Sequence, residues 1–186
     1  MLRRCLPVIA LFAFSPLAAA TGLDLNVNSN ALRLTMDFEV SNNIIVDGSW
    51  LYHQDRGNVF GAGLHLTGAA TGGRNPLQAG LGGRLLQVDS DVKGRDDGQV
   101  LPLGGFVSYT LPDYNRFAVG GSLYYAPDVL AFGDTTRYFE GGVWGAYSVL
   151  RTGQVYLGLR RVEAGFKNSP SVTFDTGIHA GLRLRF

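Results

Sequence analysis

The sequence predicts an all-β protein: a single antiparallel, up-and-down transmembrane β-barrel of about ten strands. Three observations predict it. Apolar and polar residues alternate with period two through most of the chain beyond residue 21, and period two sends successive side chains to opposite faces of a strand. The last segment, Ser171 to Phe186, alternates over its full sixteen residues, whereas strands of globular proteins usually run about 5–6. Residues 1–20 read as a secretory signal peptide: Arg3 and Arg4 form a basic n-region, Leu6 to Phe14 a short apolar core, and Ala18-Ala19-Ala20 a small-residue cleavage site.

The expected organisation is therefore a signal peptide (1–20) and one outer-membrane barrel domain (21–186). In the last segment Val172, Phe174, Ile178, Ala180, Leu182, Leu184 and Phe186 share one face. Thr173, Asp175, Gly177, His179, Gly181, Arg183 and Arg185 share the other. An apolar face toward lipid and a polar face toward a lumen is the pattern of an outer-membrane strand. Ile178, Ala180, Leu182, Leu184 and the terminal aromatic Phe186 are expected to form the C-terminal signal engaged by the barrel-assembly machinery.

Composition narrows the function classes. Residues 21–186 carry 14 basic and 15 acidic side chains, so their formal charge is −1, and nothing recommends nucleic acid as a partner. The single cysteine, Cys5, precedes the apolar core of the signal. Disulfides, thiol catalysis and thiolate metal sites are excluded from the remainder. No cofactor is expected. No apolar run beyond the signal approaches the roughly 20 residues of a spanning helix, so the membrane expectation rests on strands. The 26 glycines lie in candidate strands as well as turns, which suits a tightly curved sheet.

The elements follow in order. Leu23, Leu25 and Val27 alternate with Asp24, Asn26 and Asn28. After the turn at 29–31, Leu32, Leu34, Met36, Phe38 and Val40 alternate with Arg33, Thr35, Asp37 and Glu39. Asn42-Asn43 turns the chain into 44–54, where Val46, Trp50 and Tyr52 oppose Asp47, Ser49 and His53. Beyond Asp55-Arg56-Gly57, Phe60, Ala62, Leu64 and Leu66 oppose Gly61, Gly63, His65 and Thr67. The glycine-rich stretch 68–76 leads to Leu77, Ala79, Leu81 and Leu85, which oppose Gln78, Gly80, Gly82 and Arg84. A polar loop, 89–98, precedes a strand marked by Leu101, Leu103, Val107, Tyr109 and Leu111. The turn 112–115 leads to Phe117, Val119, Leu123 and Tyr125. A loop over 126–136 precedes Phe139, Val143, Tyr147 and Val149, opposed by Glu140, Gly142 and Trp144. The turn 151–153 leads to Val155, Leu157 and Leu159, opposed by Tyr156, Gly158 and Arg160. Residues 164–170 connect to the final strand.

Loops 89–98, 126–136 and 164–170 are long, and turns 112–115 and 150–153 short. Outer-membrane barrels have long extracellular loops and short periplasmic turns, with which the spacing agrees except at 68–76. Eight strands result if 22–31 is an extension or two neighbouring segments form one bulged strand. A soluble sandwich or lipocalin-like barrel would carry the same alternation turned inside out.

Four stretches spread over nearly the whole mature chain carry a family resemblance: GLDLNVNSNAL (22–32), YYAPDVLAFGDTTRYFEGG (124–142), VYLGLRRVEAGF (155–166) and HAGLRLRF (179–186). On these the chain resembles the YfaZ family of small outer-membrane proteins. The resemblance implies an outer-membrane barrel and no mechanism.

The main chemical feature is the set of charges on the lumen parity. Asp24, Asp37, Glu39, Glu140 and Asp175 share it with Arg33, Arg84, Arg160, Arg183 and Arg185. These charges form either an ion-pair network filling a narrow interior or a polar constriction passing small solutes. The first expectation is a small porin-like channel with a charged lumen. The alternative is a closed, salt-bridge-filled barrel serving envelope structure or surface recognition through its outer loops. The expected partners are outer-membrane lipid and lipopolysaccharide, with small solutes if the lumen conducts.

An enzyme is not expected. His53 and Asp55 lie near a mouth, but no histidine is followed two residues later by Ser; His65 is followed by Thr67. The paired glycines sit in no phosphate-loop context. Trp50, Tyr52, Tyr109, Tyr125, Phe139, Tyr147 and Phe186 fall near strand ends and suit interfacial girdles. Loop 89–98, with Asp89, Asp91, Asp96 and Asp97 beside Lys93 and Arg95, lacks the spacing of an EF-hand calcium loop.

Overall fold

The computed structural model describes residues 20–70, 77–92 and 97–186. The expected signal peptide, to residue 19, lies outside the described residues, as do 71–76 and 93–96, the latter with Lys93, Arg95 and Asp96. The strands are β1 (Gly22–Val27), β2 (Ala31–Ser41), β3 (Ile44–His53), β4 (Gly57–Ala70), β5 (Leu77–Ser90), β6 (Gly98–Val100), β7 (Leu103–Thr110), β8 (Phe117–Ala126), β9 (Ala131–Gly133), β10 (Thr135–Leu150), β11 (Gly153–Phe166) and β12 (Ser169–Arg185).

Ten of these close a barrel, with each long strand antiparallel to its sequence neighbours. Residue Leu25 of β1 faces Leu34 of β2 on one side and Leu182 of β12 on the other. The β4–β5 and β5–β7 ladders complete the ring, so the barrel has no open edge. Closure satisfies the backbone N–H and C=O groups that hydrocarbon cannot hydrogen-bond.

The two remaining strands complete the wall. β7 and β8 are short, with 8 and 10 residues, between β5 with 14 and β10 with 16. Above them, β6 pairs with β5 through Leu86 and Val100, and β9 pairs with β6 through Gln99 and Phe132. The expected single strand over 101–111 is thus divided. Pro102 has no N–H to give a ladder, and its carbonyl instead accepts the Arg84 amide at 3.0 Å.

Three further expectations are corrected. Val172 and Phe174 do not share the face of Ile178. Val162 pairs with Asp175 and Glu163 with Thr173, so Phe174 is the extra residue of a β-bulge. The bulge turns Phe174 and Asp175 inward together, and the residues above it lie on the opposite parity from those below. Residues 164–170 are a tight hairpin rather than a long connection, with Asn168 at φ 53°, a conformation asparagine tolerates. The 68–76 stretch is mostly ladder at its start, since Gly68 to Ala70 pair with Ala79 to Leu77.

The outer face settles which way the alternation is turned. Leu81 is 72% exposed, Ile178 70% and Leu66 65%, and they belong to an apolar band around the barrel. Apolar exposure on that scale is the signature of a surface covered by lipid. Trp50 stacks on Phe60 at 6.1 Å near the extracellular end, and Phe117 meets Tyr147 at 4.9 Å near the periplasmic end. Inside, bulky rings lie over glycines of the adjoining strand: a Cβ at Gly120 would stand 2.6 Å from the Trp144 ring. Gly120→Leu is expected to lower folding yield without altering the lipid face, measured as the fraction of heat-modifiable band after refolding.

Candidate functional site

The lumen is occupied in layers. Its centre is Glu140, on β10. Arg33 of β2 donates to both its carboxylate oxygens, Nη1 to Oε1 at 2.6 Å and Nη2 to Oε2 at 3.0 Å. The Tyr138 hydroxyl donates to Oε2 at 2.8 Å, and Arg84 Nη1 donates to Oε1 at 3.2 Å. A carboxylate taking a bidentate guanidinium, a second guanidinium and a hydroxyl has its lone pairs largely filled, the condition for tolerating a buried charge. Arg84 continues the layer. Its Nε lies 3.6 Å from Asp47 Oδ2, an ion pair too long for a hydrogen bond, and its guanidinium lies 4.2 Å over the Tyr124 ring.

A chain of polar groups runs from Asp47. Its Oδ1 is 2.9 Å from His65 Nδ1, and His65 Nε2 is 2.9 Å from the Tyr124 hydroxyl. The order carboxylate–imidazole–hydroxyl invites comparison with a nucleophile relay. Asp47, His65 and Tyr124 are all buried, so no substrate reaches them, and the chain acts as a cross-brace among β3, β4 and β8.

The second polar group joins β1, β11 and β12. Arg160 Nε donates to Asp175 Oδ2 at 2.6 Å and Arg160 Nη1 to Asn26 Oδ1 at 2.7 Å, while Asn28 donates to Asp175. Arg183 donates to Asp24 Oδ2 through Nε at 3.0 Å and Nη2 at 2.8 Å, and the Tyr156 hydroxyl donates to the other Asp24 oxygen. The Arg183 guanidinium lies 5.1 Å over Tyr156. Replacing Arg183 by methionine is expected to destabilise the β1–β12 seam more than Arg183→Lys, because a lysine keeps the charge but loses the fork. Unfolding midpoints of the two variants in urea check this.

Toward the extracellular end the lumen is apolar. Leu51, Val59, Leu86, Val88, Val100, Ala126, Tyr138, Val162, Ala164, Val172 and Phe174 form one cluster. Val88, Val100, Ala126, Tyr138, Val162, Ala164 and Phe174 are 0% exposed, although they come from six different strands around the ring. Water does not reach them, so this layer is packed like a core.

Of the ten expected lumen charges, Asp24, Arg33, Arg84, Glu140, Arg160, Asp175 and Arg183 are brought together in these ion pairs. Asp37 is half-buried, and no ion pair to it forms among the described residues. Glu39 and Arg185 are corrections: both are exposed at the periplasmic ends of β2 and β12, beyond the filled layers, and neither forms an ion pair among the described residues. Water reaches that end, so nothing obliges these charges to pair. Ile178, Ala180, Leu182 and Phe186 are exposed, and Leu184 is partly so.

Asp47, His65, Tyr124, Tyr138, Tyr156, Asn26 and Asn28 also belong to the polar layers. The lumen parity already carried them; attention to net charges passed over the neutral groups, and the expected set omits Asp47, a charge on the same parity. His53 Nδ1 accepts the backbone N–H of Asp55 at 3.1 Å, a turn contact rather than a hydrogen bond to the Asp55 carboxylate. Among the described residues no group of three or more His, Cys, Asp or Glu side chains is placed to hold a metal.

A family model described as "YfaZ precursor" matches residues 4–186. The curated relative "Outer membrane protein YfaZ" of Escherichia coli (strain K12) is 27% identical over 125 residues, 67% of this chain. The match spans 64% of that relative's length. Among solved structures, a chain named "KdgM porin" aligns at 11% identity and a TM-score of 0.45, over 89% of this chain and 98% of that one. The family match runs over both the polar layers and the lipid-facing band, and the chain belongs to the YfaZ family of outer-membrane proteins.

Proposed function

We propose that this protein is a closed outer-membrane barrel that conducts nothing in its resting fold and works through its outer surfaces. The observation that carries this reading is the apolar layer across the extracellular half of the lumen, with seven side chains at zero exposure. A pathway for ions needs a continuous wet surface, and a packed apolar constriction excludes water. Below that layer the Arg33–Glu140–Arg84, Arg160–Asp175 and Arg183–Asp24 pairs bind seven of the lumen charges to one another. What remains for contact is the lipid-facing band and the extracellular connections, where lipid and lipopolysaccharide are the partners at hand. Insertion falls to the barrel-assembly machinery, which we infer reads Ile178, Ala180, Leu182, Leu184 and Phe186 of β12.

Residues 21–186 refolded into planar bilayers are expected to give a silent membrane at moderate voltage, with a heat-modifiable band confirming insertion. Reproducible discrete steps, with an ion selectivity that moves on Arg33→Gln or Arg183→Gln, overturn the closed barrel in favour of a charged channel.

A further inference from the structure

The outer surface of the barrel is not evenly charged at its extracellular end. On β11, Leu159 pairs with Ile178 of β12, and the two side chains face lipid at 54% and 70% exposure. One step outward on the same face stands Arg161, opposite Thr176, and beyond it Glu163, opposite Thr173. A cation thus stands at the upper margin of the apolar band, directly above two lipid-facing side chains. On the opposite wall the outward residues at this end include Asn58, Gln87 and Asp89. Strands β3, β4 and β5 carry no outward cation among their described residues.

A second arginine reaches the same carboxylate from the other side. Arg137 of β10 pairs with Gly165 of β11. A Cβ at Gly165 would stand 2.6 Å from Arg137 Cγ, so the glycine leaves room for the Arg137 stem to lie over β11. Arg137 Nη2 donates to Glu163 Oε1 at 3.3 Å and to Ser171 Oγ at 2.9 Å. Arg161 donates to Glu163 Oε2 through Nε at 3.2 Å and Nη2 at 2.5 Å. Two guanidinium groups on one carboxylate leave a net positive charge. Both arginine side chains stay more than half exposed, 57% and 59%, and each guanidinium has more N–H donors than these contacts use. Lys167, at the tip of the β11–β12 hairpin, donates to the Gly133 carbonyl at 2.7 Å and forms no ion pair among the described residues. Ion pairs this exposed add little to stability, so bracing the wall does not account for two arginines on one acid.

We propose that this outward patch binds the phosphorylated headgroup of lipopolysaccharide in the outer leaflet. Guanidinium groups take phosphate oxygens through parallel N–H donors, and Arg161 and Arg137 present theirs side by side. Thr173 and Thr176 lie on the same face and offer hydroxyl groups to the sugar. The height of the patch favours a lipid over a soluble anion. Arg161 adjoins Leu159 and Ile178, so a phosphate anchored by acyl chains meets it without leaving the membrane. This assignment rests on the reading that the outer surfaces do the work. Bilayer current tests the lumen and lipid retention tests the wall, so either can fail without the other.

The test is native mass spectrometry of the mature barrel in detergent with EDTA, titrated with lipid A carrying its phosphates or with the same lipid dephosphorylated. Wild type is expected to prefer the phosphorylated lipid by about tenfold, the scale of one or two cations beside an anionic headgroup. Arg137→Gln/Arg161→Gln is expected to abolish the preference. Arg116→Gln/Arg151→Gln makes the same change of net charge at exposed positions of the periplasmic turns and is expected to keep it. Glu163→Gln retains an acceptor oxygen for both arginines and removes the competing charge, so its preference is expected to rise severalfold. A heat-modifiable band shift confirms that each variant is folded. Equal retention of the two lipids by wild type, or an unchanged preference in the Arg137/Arg161 variant, overturns the proposal. So does an equal loss in the periplasmic variant, because net charge alone then attracts the lipid. A fall in preference on Glu163→Gln also overturns it, and this variant decides if the arginine variant does not fold.

Discussion

Glu140→Ala is expected to remove about 3–5 kcal/mol of folding stability, the cost of breaking a buried ion pair from one side. The carboxylate accepts from Arg33, Arg84 and Tyr138, so its loss leaves two guanidinium groups and a hydroxyl facing one another without their common acceptor. Arg33→Met is expected to cost less, because Glu140 keeps Arg84 and Tyr138. The double variant Glu140→Ala/Arg33→Met is expected to recover part of the loss, since one orphaned cation disappears with its partner. Contacting charges of this kind couple by about 0.5–3 kcal/mol in double-mutant cycles. Equilibrium unfolding in urea from lipid vesicles measures all three, read by gel mobility and by the combined fluorescence of Trp50 and Trp144. A Glu140→Ala variant within about 1 kcal/mol of wild type would show that water relaxes the site and that the layer is not a structural brace.

Phe174→Ala is the second large effect, expected at about 3–5 kcal/mol, the usual loss for truncating a fully buried phenylalanine. Its ring is 0% exposed, and the bulge that turns it inward also fixes Asp175 beside Arg160. The cavity opens within a cluster drawn from strands all round the ring, Val88, Val100 and Val162 among its members, which cannot all close in on it. The same variant tests the layered lumen. It is expected to remain silent in planar bilayers, because the ion-paired layer still spans the barrel below the void. Phe174→Ala combined with Glu140→Ala is expected to give leak current in the fraction that folds. Conductance from Phe174→Ala alone would assign the whole seal to the apolar layer.

The barrel was legible in the sequence because its signal is local. Leu32 to Val40 against Arg33 to Glu39, or Phe60 to Leu66 against Gly61 to Thr67, shows the two faces within one strand. The ten-strand count and the lipid face follow from repeating that reading. The same parity placed Arg33, Glu140 and Asp24 on the inside face. Two features were not legible. A bulge adds a single residue, and in Val172 to Asp175 nothing in the composition marks which one; only the ladder to β11 does. The β6–β9 strip depends on residues 97–102 and 127–134 meeting over the short β7 and β8, which neither stretch contains.

Alone, then, the amino-acid sequence determined the membrane-spanning all-β class, the outer band and the pool of residues that face inward. The tertiary structure decided how that pool is used. Arg33 and Glu140 are 107 positions apart, and Arg183 and Asp24 159 apart. Their meeting depends on the stagger of the ladders and the width of the ring, which no local period encodes. Closure also decided why the extracellular half is apolar while the middle is charged. Once ten strands curve into a ring this narrow, opposite walls touch, and each inward side chain must either pack or find a partner.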